Sequence, residues 1–547
     1  MTLKLDLLTK GYLPENLPPT FRTGDLGTYL AGLAELFSKG KPTRAATYNA
    51  SKRGLTRRVF SFIHPGTSHD LAEFVSTRAG TINQFIATST FSMSAPRHTP
   101  DGDRAVEIAA HGELEEQRLV RLARYRFIAR TDISRYYHSI YTHSVPWALH
   151  GKAAAKAEQR PNSAAIYGNR LDQILRHGQD GQTIGIPVGP DASRYVAEII
   201  GTAIDNEFVS RGGAGTSTVI RHVDDVWIGA DTHAEAEAAL WRYRESIRSF
   251  ELDINEAKTQ IHSDDFQFSD SWPTDVAAKI EFALDSVSRR TPERLRAALE
   301  HAFAMTASTS DDGVLKYTLR FLDRSIVPLK HWTTIEPFLM RSVTHYSHTV
   351  DYVARMLVWR HLARGDLDAA RWSPVLQALI ARHGRLGNDG EVCWASYAAL
   401  RLQIDIPLQV ATAAILNCGA LTSVALLSVA AAGRIDPQIF EVAWPLVSGE
   451  NGNGAFWPLL LEWKVRQWPR HDELQVGNDL LADLVAQELS IFDASRLPPV
   501  FENVEFDDFG DVERAIEKRS SQYDDDDDEE EDSDLEPDAS DFDDFPL

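Results

Sequence analysis

Apolar positions recur at helical spacing between Ala192 and Phe208, where Val196, Ile199, Ile200, Ala203, Ile204 and Phe208 define one face. Pro190 fits the first turn of that helix, and Gly189 before it permits close approach of a backbone or ligand. Elsewhere in the first half the pattern shortens. Val59-Phe60-Ser61-Phe62-Ile63 and Arg126 to Thr131 have the composition of strands. Val219-Ile220 and Val226-Trp227-Ile228 form two more such runs, with Asp224 and Asp225 at the turn between them. An amphipathic segment runs from Leu26 to Phe37, and a helix rich in Ala and Glu is expected after Ala230, to about Phe250. From about Asp275 to Gln467 the pattern is helical throughout. Trp372–Arg382, Glu391–Leu402 and Leu421–Ala432 are set apart by breaks at Gly384, Gly387 and Gly433.

Strands mixed with helices, followed by helices alone, predict an α+β chain. A length of 547 residues fits two or three cores. We expect a first unit over 1–275, a helical connector over 276–335, a helical domain over 336–500 and a tail over 501–547. Helix pairs stacked on their neighbours, as in HEAT-like arrays, suit the helical domain better than a compact bundle, although no clean period is visible.

Composition alters this picture mainly at the end of the chain. Hydrophobic residues make up 43% and charged residues 25%, as in ordinary globular proteins. Fifteen acids and no Lys or Arg lie from Asp524 onward; without them the net charge of −23 becomes −8. Most of the acidity is therefore a tail, expected to be disordered and solubilising, or to mimic nucleic acid over a basic groove. The two cysteines, Cys393 and Cys418, exclude a disulfide framework and are expected as buried thiols. Ile406 to Gly433 carries no charge, yet Pro407 and Asn417-Cys418-Gly419 favour two short buried helices over a membrane span. The start lacks the apolar core of a signal peptide.

The candidate chemistry rests on acids from separate elements. Adjacent acids alone mean little, since Asp264-Asp265 and Asp311-Asp312 repeat the pair. Asp132, however, ends a predicted strand about ninety residues before Asp224-Asp225. Carboxylates converging from such positions can hold two ions roughly 4 Å apart for phosphoryl transfer. Magnesium is the expected metal, because it takes hard oxygens and keeps substrate phosphates in its shell. Successive strand residues face opposite sides, so Asp224 is expected as the principal ligand and Asp225 as a more oblique one. Lys258 is placed to neutralise or protonate a leaving pyrophosphate. Lys41, Arg44, Lys52, Arg53, Arg57 and Arg58 precede a strand and suit a triphosphate or a nucleic-acid backbone.

These segments also resemble the palm of a reverse transcriptase. Thr131-Asp132-Ile133-Ser134-Arg135-Tyr136-Tyr137 resembles the first metal-binding motif, and Gly185-Ile186-Pro187-Val188-Gly189-Pro190 the second. Arg221-His222-Val223-Asp224-Asp225 resembles the Tyr-x-Asp-Asp box, and Leu252 to Thr259 the lysine motif after it. Order and spacing agree over roughly residues 40–270. The variants are most similar to those of bacterial defence-associated reverse transcriptases of the abortive-infection type.

The resemblance implies a palm-and-fingers polymerase domain followed by an α-helical repeat region. It implies a cytoplasmic, Mg2+-dependent RNA-directed DNA polymerase using dNTPs in bacterial antiphage defence. Template-independent, protein-primed synthesis occurs to the family as a further mode. Implied partners are a DNA product, an RNA template or associated non-coding RNA, and other copies of the chain through the repeats, with no membrane. Carried over by position, Asp132, Asp224 and Asp225, with Ile133, would bind two metal ions, and Lys258 would assist. Tyr137 would lie under the sugar and disfavour a 2′-hydroxyl, while Arg53, Arg57, Arg58, Pro187 and Gly189 would contact the nucleotide. His222 replaces the usual tyrosine of the box, and Val188 stands where many relatives carry glutamine. The competing reading is a non-catalytic RNA-binding scaffold on the same fold.

Overall fold

The computed structural model describes residues 2–34, 36–52, 56–213, 218–263, 265–269, 272–284, 290–309, 313–323 and 330–496. Arg53 and the acidic tail over 501–547, both assigned roles above, lie outside the described residues.

The chain is mixed α/β. Its strands are β1 (Ala46–Ser51), β2 (Arg57–Phe62), β3 (Arg97–His98), β4 (Val106–Glu107), β5 (Phe127–Asp132), β6 (Thr218–His222), β7 (Asp225–Ala230) and β8 (Gln260–His262). β1–β2 and β3–β4 are separate antiparallel pairs, and the other four form an antiparallel sheet in the order β6-β7-β5-β8. Alternation along these strands sends side chains to two cores. Ala129, Val219, Val226 and Ile228 join the main core with Ile200, Ile204 and Phe208 of the helix Ala192–Ser210 and Tyr243 of the helix His233–Arg248. Ile128, Ile220 and Trp227 turn the other way, to Leu114 and Leu122 of the helix His111–Leu122.

Local chemistry sets the helix ends. Thr232 and Glu235 form a reciprocal capping box that starts His233–Arg248 directly after β7. The amphipathic segment that begins at Leu26 belongs to the helix Gly24–Ala31, which stops at Gly32.

The second half stacks helices in two layers. Val350–Arg364, Asp389–Arg401, Ala420–Ala431 and Trp457–Val465 pack in succession in one. Ala369–Arg385, Leu408–Asn417 and Ile439–Ser448 do so in the other. The uncharged stretch is thus two helices joined at Cys418-Gly419, and both cysteines are buried and free. Among the described residues, no helix is long and apolar enough to cross a membrane.

The first of these layers sits against β1. A side chain at Gly419 would come within 2.6 Å of the Thr47 carbonyl oxygen, and one at Gly390 within 3.2 Å of the Ala50 Cα. Phe62 of β2 meets Trp457 at 4.8 Å between ring centroids, and one buried core runs continuously from Leu7 to Phe492.

Candidate active site

The β6–β7 hairpin is as tight as a hairpin can be. His222 pairs with Asp225, leaving Val223 and Asp224 as the turn. Val223 has φ 52°, a left-handed conformation that β-branched side chains rarely adopt. Such strain persists only where the surroundings impose it. Here the Val223 N–H donates to the Ser94 hydroxyl, Arg221 Nη1 donates to the Val223 carbonyl at 3.3 Å, and the Ile133 N–H donates to the Asp224 carbonyl at 3.1 Å.

Arg221 is itself fully enclosed. Its guanidinium lies between Glu198, at 2.7 Å, and Asp205, at 2.9 Å, both from the helix Ala192–Ser210. Gly201 makes room for it: a Cβ there would stand 2.5 Å from Arg221 Nη1. Two carboxylates around one guanidinium satisfy its fork of donors, the condition under which a buried charge is tolerated.

Strand register then assembles the acids. Asp132, the last residue of β5, lies opposite Asp225, the first of β7, so their side chains share a face of the sheet. The sequence leads one to expect Asp224 as the principal ligand; the register sets Asp225 opposite Asp132 and places Asp224 at the turn beside them. The Asn255 N–H donates to the Asp132 carbonyl at 3.0 Å, and the Ser134 N–H to the Asp253 carbonyl at 3.0 Å. This docks the short turn Glu256–Lys258 and leaves Lys258 Nζ 3.6 Å from Asp132 Oδ2. Arg130 Nη2 lies 3.8 Å from Asp225 Oδ1 and, with Arg118, packs over the Trp227 ring.

These residues open onto a cavity of about 280 Å3. Asp132, Asp224, Asp225 and Lys258 line it, together with Tyr137, Val188 and Gly189. Lys52, Arg58, Arg135 and Arg194 supply cations, and Glu15, Glu198 and His222 also face it. Arg135, like Val223, has a positive φ, 47°. Burial, with Asp224 and Glu15 nearby, pushes the Tyr137 hydroxyl up to about 12 against the opposing pull of Arg194. Burial would raise Glu15, but Arg194 at 2.5 Å, Arg104 and Arg58 hold it down to about 2.

Three of the residues assigned from sequence stand apart. Arg57 does not line the cavity: it forks onto Glu391 of the helical half through Nη1 at 2.9 Å and Nη2 at 2.6 Å. The reason is alternation, since Arg57 and Arg58 are consecutive on β2 and face opposite ways. Pro187 is buried beside the lining residues Val188 and Gly189. Ile133 is fully buried, with its main chain pinned to Asp224 and bridged to Ile254.

Glu15, Arg135, Arg194 and Glu198 were not anticipated in the cavity. Arg194 had a signal, lying one turn after Pro190 in a segment already singled out. Glu15 had none, because a single acid in an irregular N-terminal stretch has no pattern.

Among the described residues, no three His, Cys, Asp or Glu side chains close round a point as a ready-made metal cage. The three aspartates instead line an open cavity, to which they offer hard carboxylate oxygens. That donor set fits magnesium, which completes its shell with water and substrate phosphates.

No family model matches the chain, and no curated protein matches it in sequence. Among solved structures it is similar to telomerase from Candida albicans, in complex with a fragment of telomeric RNA, with a TM-score of 0.28 and 11% identity. The match covers 62% of this chain and 64% of that one, so the chain spans less than two thirds of the telomerase chain.

Proposed function

We propose that the cavity is the active site of a reverse-transcriptase-type DNA polymerase, built as palm and fingers, with the stacked helices as a HEAT-like repeat region. The observation that carries this reading is the meeting of Asp132, Asp224, Asp225, Lys258, Tyr137 and Gly189, from four separate stretches of chain, around one cavity. In the reaction, a primer hydroxyl oxygen forms a bond to the α-phosphorus of a deoxynucleoside triphosphate as the bond to pyrophosphate breaks.

Each residue has a defined part. Asp132, Asp224 and Asp225 would hold Mg2+, which when bound lowers the pKa of the attacking hydroxyl and offsets charge on the phosphates. Lys52, Arg58, Arg135 and Arg194 offer the cations for a triphosphate, and Lys258, beside Asp132, meets negative charge developing on pyrophosphate. Tyr137 forms the floor beneath the sugar and obstructs a 2′-hydroxyl. Gly189, at φ 116°, lets the wall pass close to Pro14, where a Cβ would stand 3.2 Å from the ring. The resemblance in the motifs extends the proposal to antiphage defence in a bacterial cytoplasm.

The test is incorporation of labelled deoxynucleotides with Mg2+ by the wild-type chain and by an Asp224→Ala, Asp225→Ala variant. Incorporation that persists in the variant removes these acids from the chemistry. If neither incorporates while both retain RNA, the non-catalytic scaffold is the better description.

A further inference from the structure

The segment Asn388-Asp389-Gly390-Glu391 starts a helix in the second half, yet its acids are spent on the β1–β2 hairpin. Asp389 Oδ2 accepts from the Asn49 N–H at 3.1 Å and from Asn49 Nδ2 at 2.7 Å. Its Oδ1 accepts from the Gly419 N–H at 2.8 Å and the Thr422 hydroxyl at 2.6 Å. One carboxylate therefore ties two helices to β1. Glu391, 2% exposed, holds Arg57 of β2 by both oxygens, and Arg57 in turn donates to Asn49.

Asn49 and Arg57 occupy one face of the hairpin; Arg58 and Phe60, one residue out of phase, occupy the other and line the cavity. The far edge of β2 reaches the same cavity, for the Ser61 N–H donates to the carbonyl of Val188 at 2.8 Å. A continuous path thus runs from Asp389 and Glu391 through β1 and β2 to the cavity wall.

We propose that Asp389 and Glu391 are positioning residues for the nucleotide: through Asn49 and Arg57 they set where the helical half holds the hairpin, and so where Arg58 and Phe60 meet the substrate. The proposal rests on the nucleotide reading of the cavity. Attachment alone needs no buried carboxylates, because Gly390 and Gly419 against β1 and Phe62 on Trp457 already dock the two surfaces. Desolvated ion pairs add little net stability over apolar contacts, whereas their directional forks fix orientation.

The experiment compares the full-length wild type with Glu391→Gln, Arg57→Lys and the exchange Arg57→Glu with Glu391→Arg. It measures kcat and KM for deoxynucleotide and amide hydrogen exchange across residues 57–62. Glu391→Gln is expected to raise KM about tenfold, the loss of one charged hydrogen bond, with kcat within about twofold. Exchange over 57–62 should quicken, Arg57→Lys should fall between, and the exchanged pair should recover most of the KM. A lowered thermal midpoint with KM unchanged would make the contact structural only and overturn the proposal. If the wild type incorporates no nucleotide, the polymerase reading fails separately. The hydrogen exchange then decides alone: unaltered protection of 57–62 in Glu391→Gln overturns the positioning role, and faster exchange sustains the coupling to the hairpin.

Discussion

Asp132 and Asp225 face each other across β5 and β7, two like charges held as direct neighbours by strand register. Like charges so placed repel each other, and Lys258 at 3.6 Å and Arg130 at 3.8 Å offset part of that repulsion. Neutralising either acid should therefore cost little stability and much activity. Asp132→Asn and Asp225→Asn are each expected to lower incorporation by roughly 10²–10³-fold, the scale for losing one electrostatic contact in a transition state. Their unfolding free energies should stay within about 1 kcal/mol of wild type, the scale of one cross-strand side-chain pair. Urea unfolding beside the incorporation assay checks both, and a variant that loses activity only because it unfolds would undo the argument.

Arg221 makes the opposite prediction. Its charge is enclosed by Glu198 and Asp205, and its reach to the Val223 carbonyl braces a strained turn. Arg221→Lys keeps the charge but cannot serve two carboxylates and a carbonyl at once. Arg221→Met removes the charge and leaves the buried carboxylates uncompensated, at a cost of about 3–5 kcal/mol, and Arg221→Lys should cost a smaller but measurable part of that. Gly201→Ala should act in the same direction by crowding the guanidinium. Thermal or urea denaturation reads all three, and a shift near zero for Arg221→Lys would show that the enclosure does not matter.

The sequence made the sheet legible where a strand carried its own pattern. The β-branched runs around Asp224-Asp225 marked β6 and β7 to within two residues, and the run ending at Asp132 marked β5 to within one. The uncharged stretch broke into two helices at Cys418-Gly419, and Gly419 passes close against Thr47 there. What local pattern could not carry was partnership across the chain. Arg57 and Arg58 looked like one basic cluster, and their separation follows from strand alternation together with a glutamate more than 300 residues away. Glu15 is the same case: its place beside Arg194 is decided by the packing of an irregular segment against Gly189. The spacing of Asp224 and Asp225 was likewise silent on register, which sets Asp225 opposite Asp132 and leaves Asp224 at the turn.

Tyr137 allows the sugar preference to be tested separately from the chemistry. Tyr137→Ala should open space at the sugar and raise ribonucleotide use relative to deoxynucleotide by roughly 10–100-fold, the scale of removing a steric clash. Tyr137→Phe should keep the wild-type ratio, because the ring is the obstacle. With the hydroxyl pushed up to about 12, the phenol stays protonated through pH 10, so the ratio should not change between pH 7 and 9. Competition assays with paired nucleotides measure it; equal ratios in wild type and Tyr137→Ala would remove the residue from selection.

Glu15 places a pH dependence in the cavity wall. Its pKa falls from the ordinary 4.5 to about 2, against burial, through Arg194, Arg104 and Arg58. A carboxyl with a depressed folded value contributes stability that is fully present above its unfolded value and is lost as pH falls through the folded one. For Glu15 the window is thus from about 4.5 down to about 2. Its side chain is 26% exposed, so solvent screens part of the effect, and a shallow slope is expected. Glu15→Gln should flatten the loss of stability across that window relative to wild type, as read from urea midpoints at pH 5, 4 and 3. At neutral pH the same change releases Arg194 and Arg104 from one counter-charge, which should tighten binding of a triphosphate and steepen its dependence on salt. Identical slopes for the two proteins in acid would mean that the Glu15–Arg194 contact contributes nothing in solution.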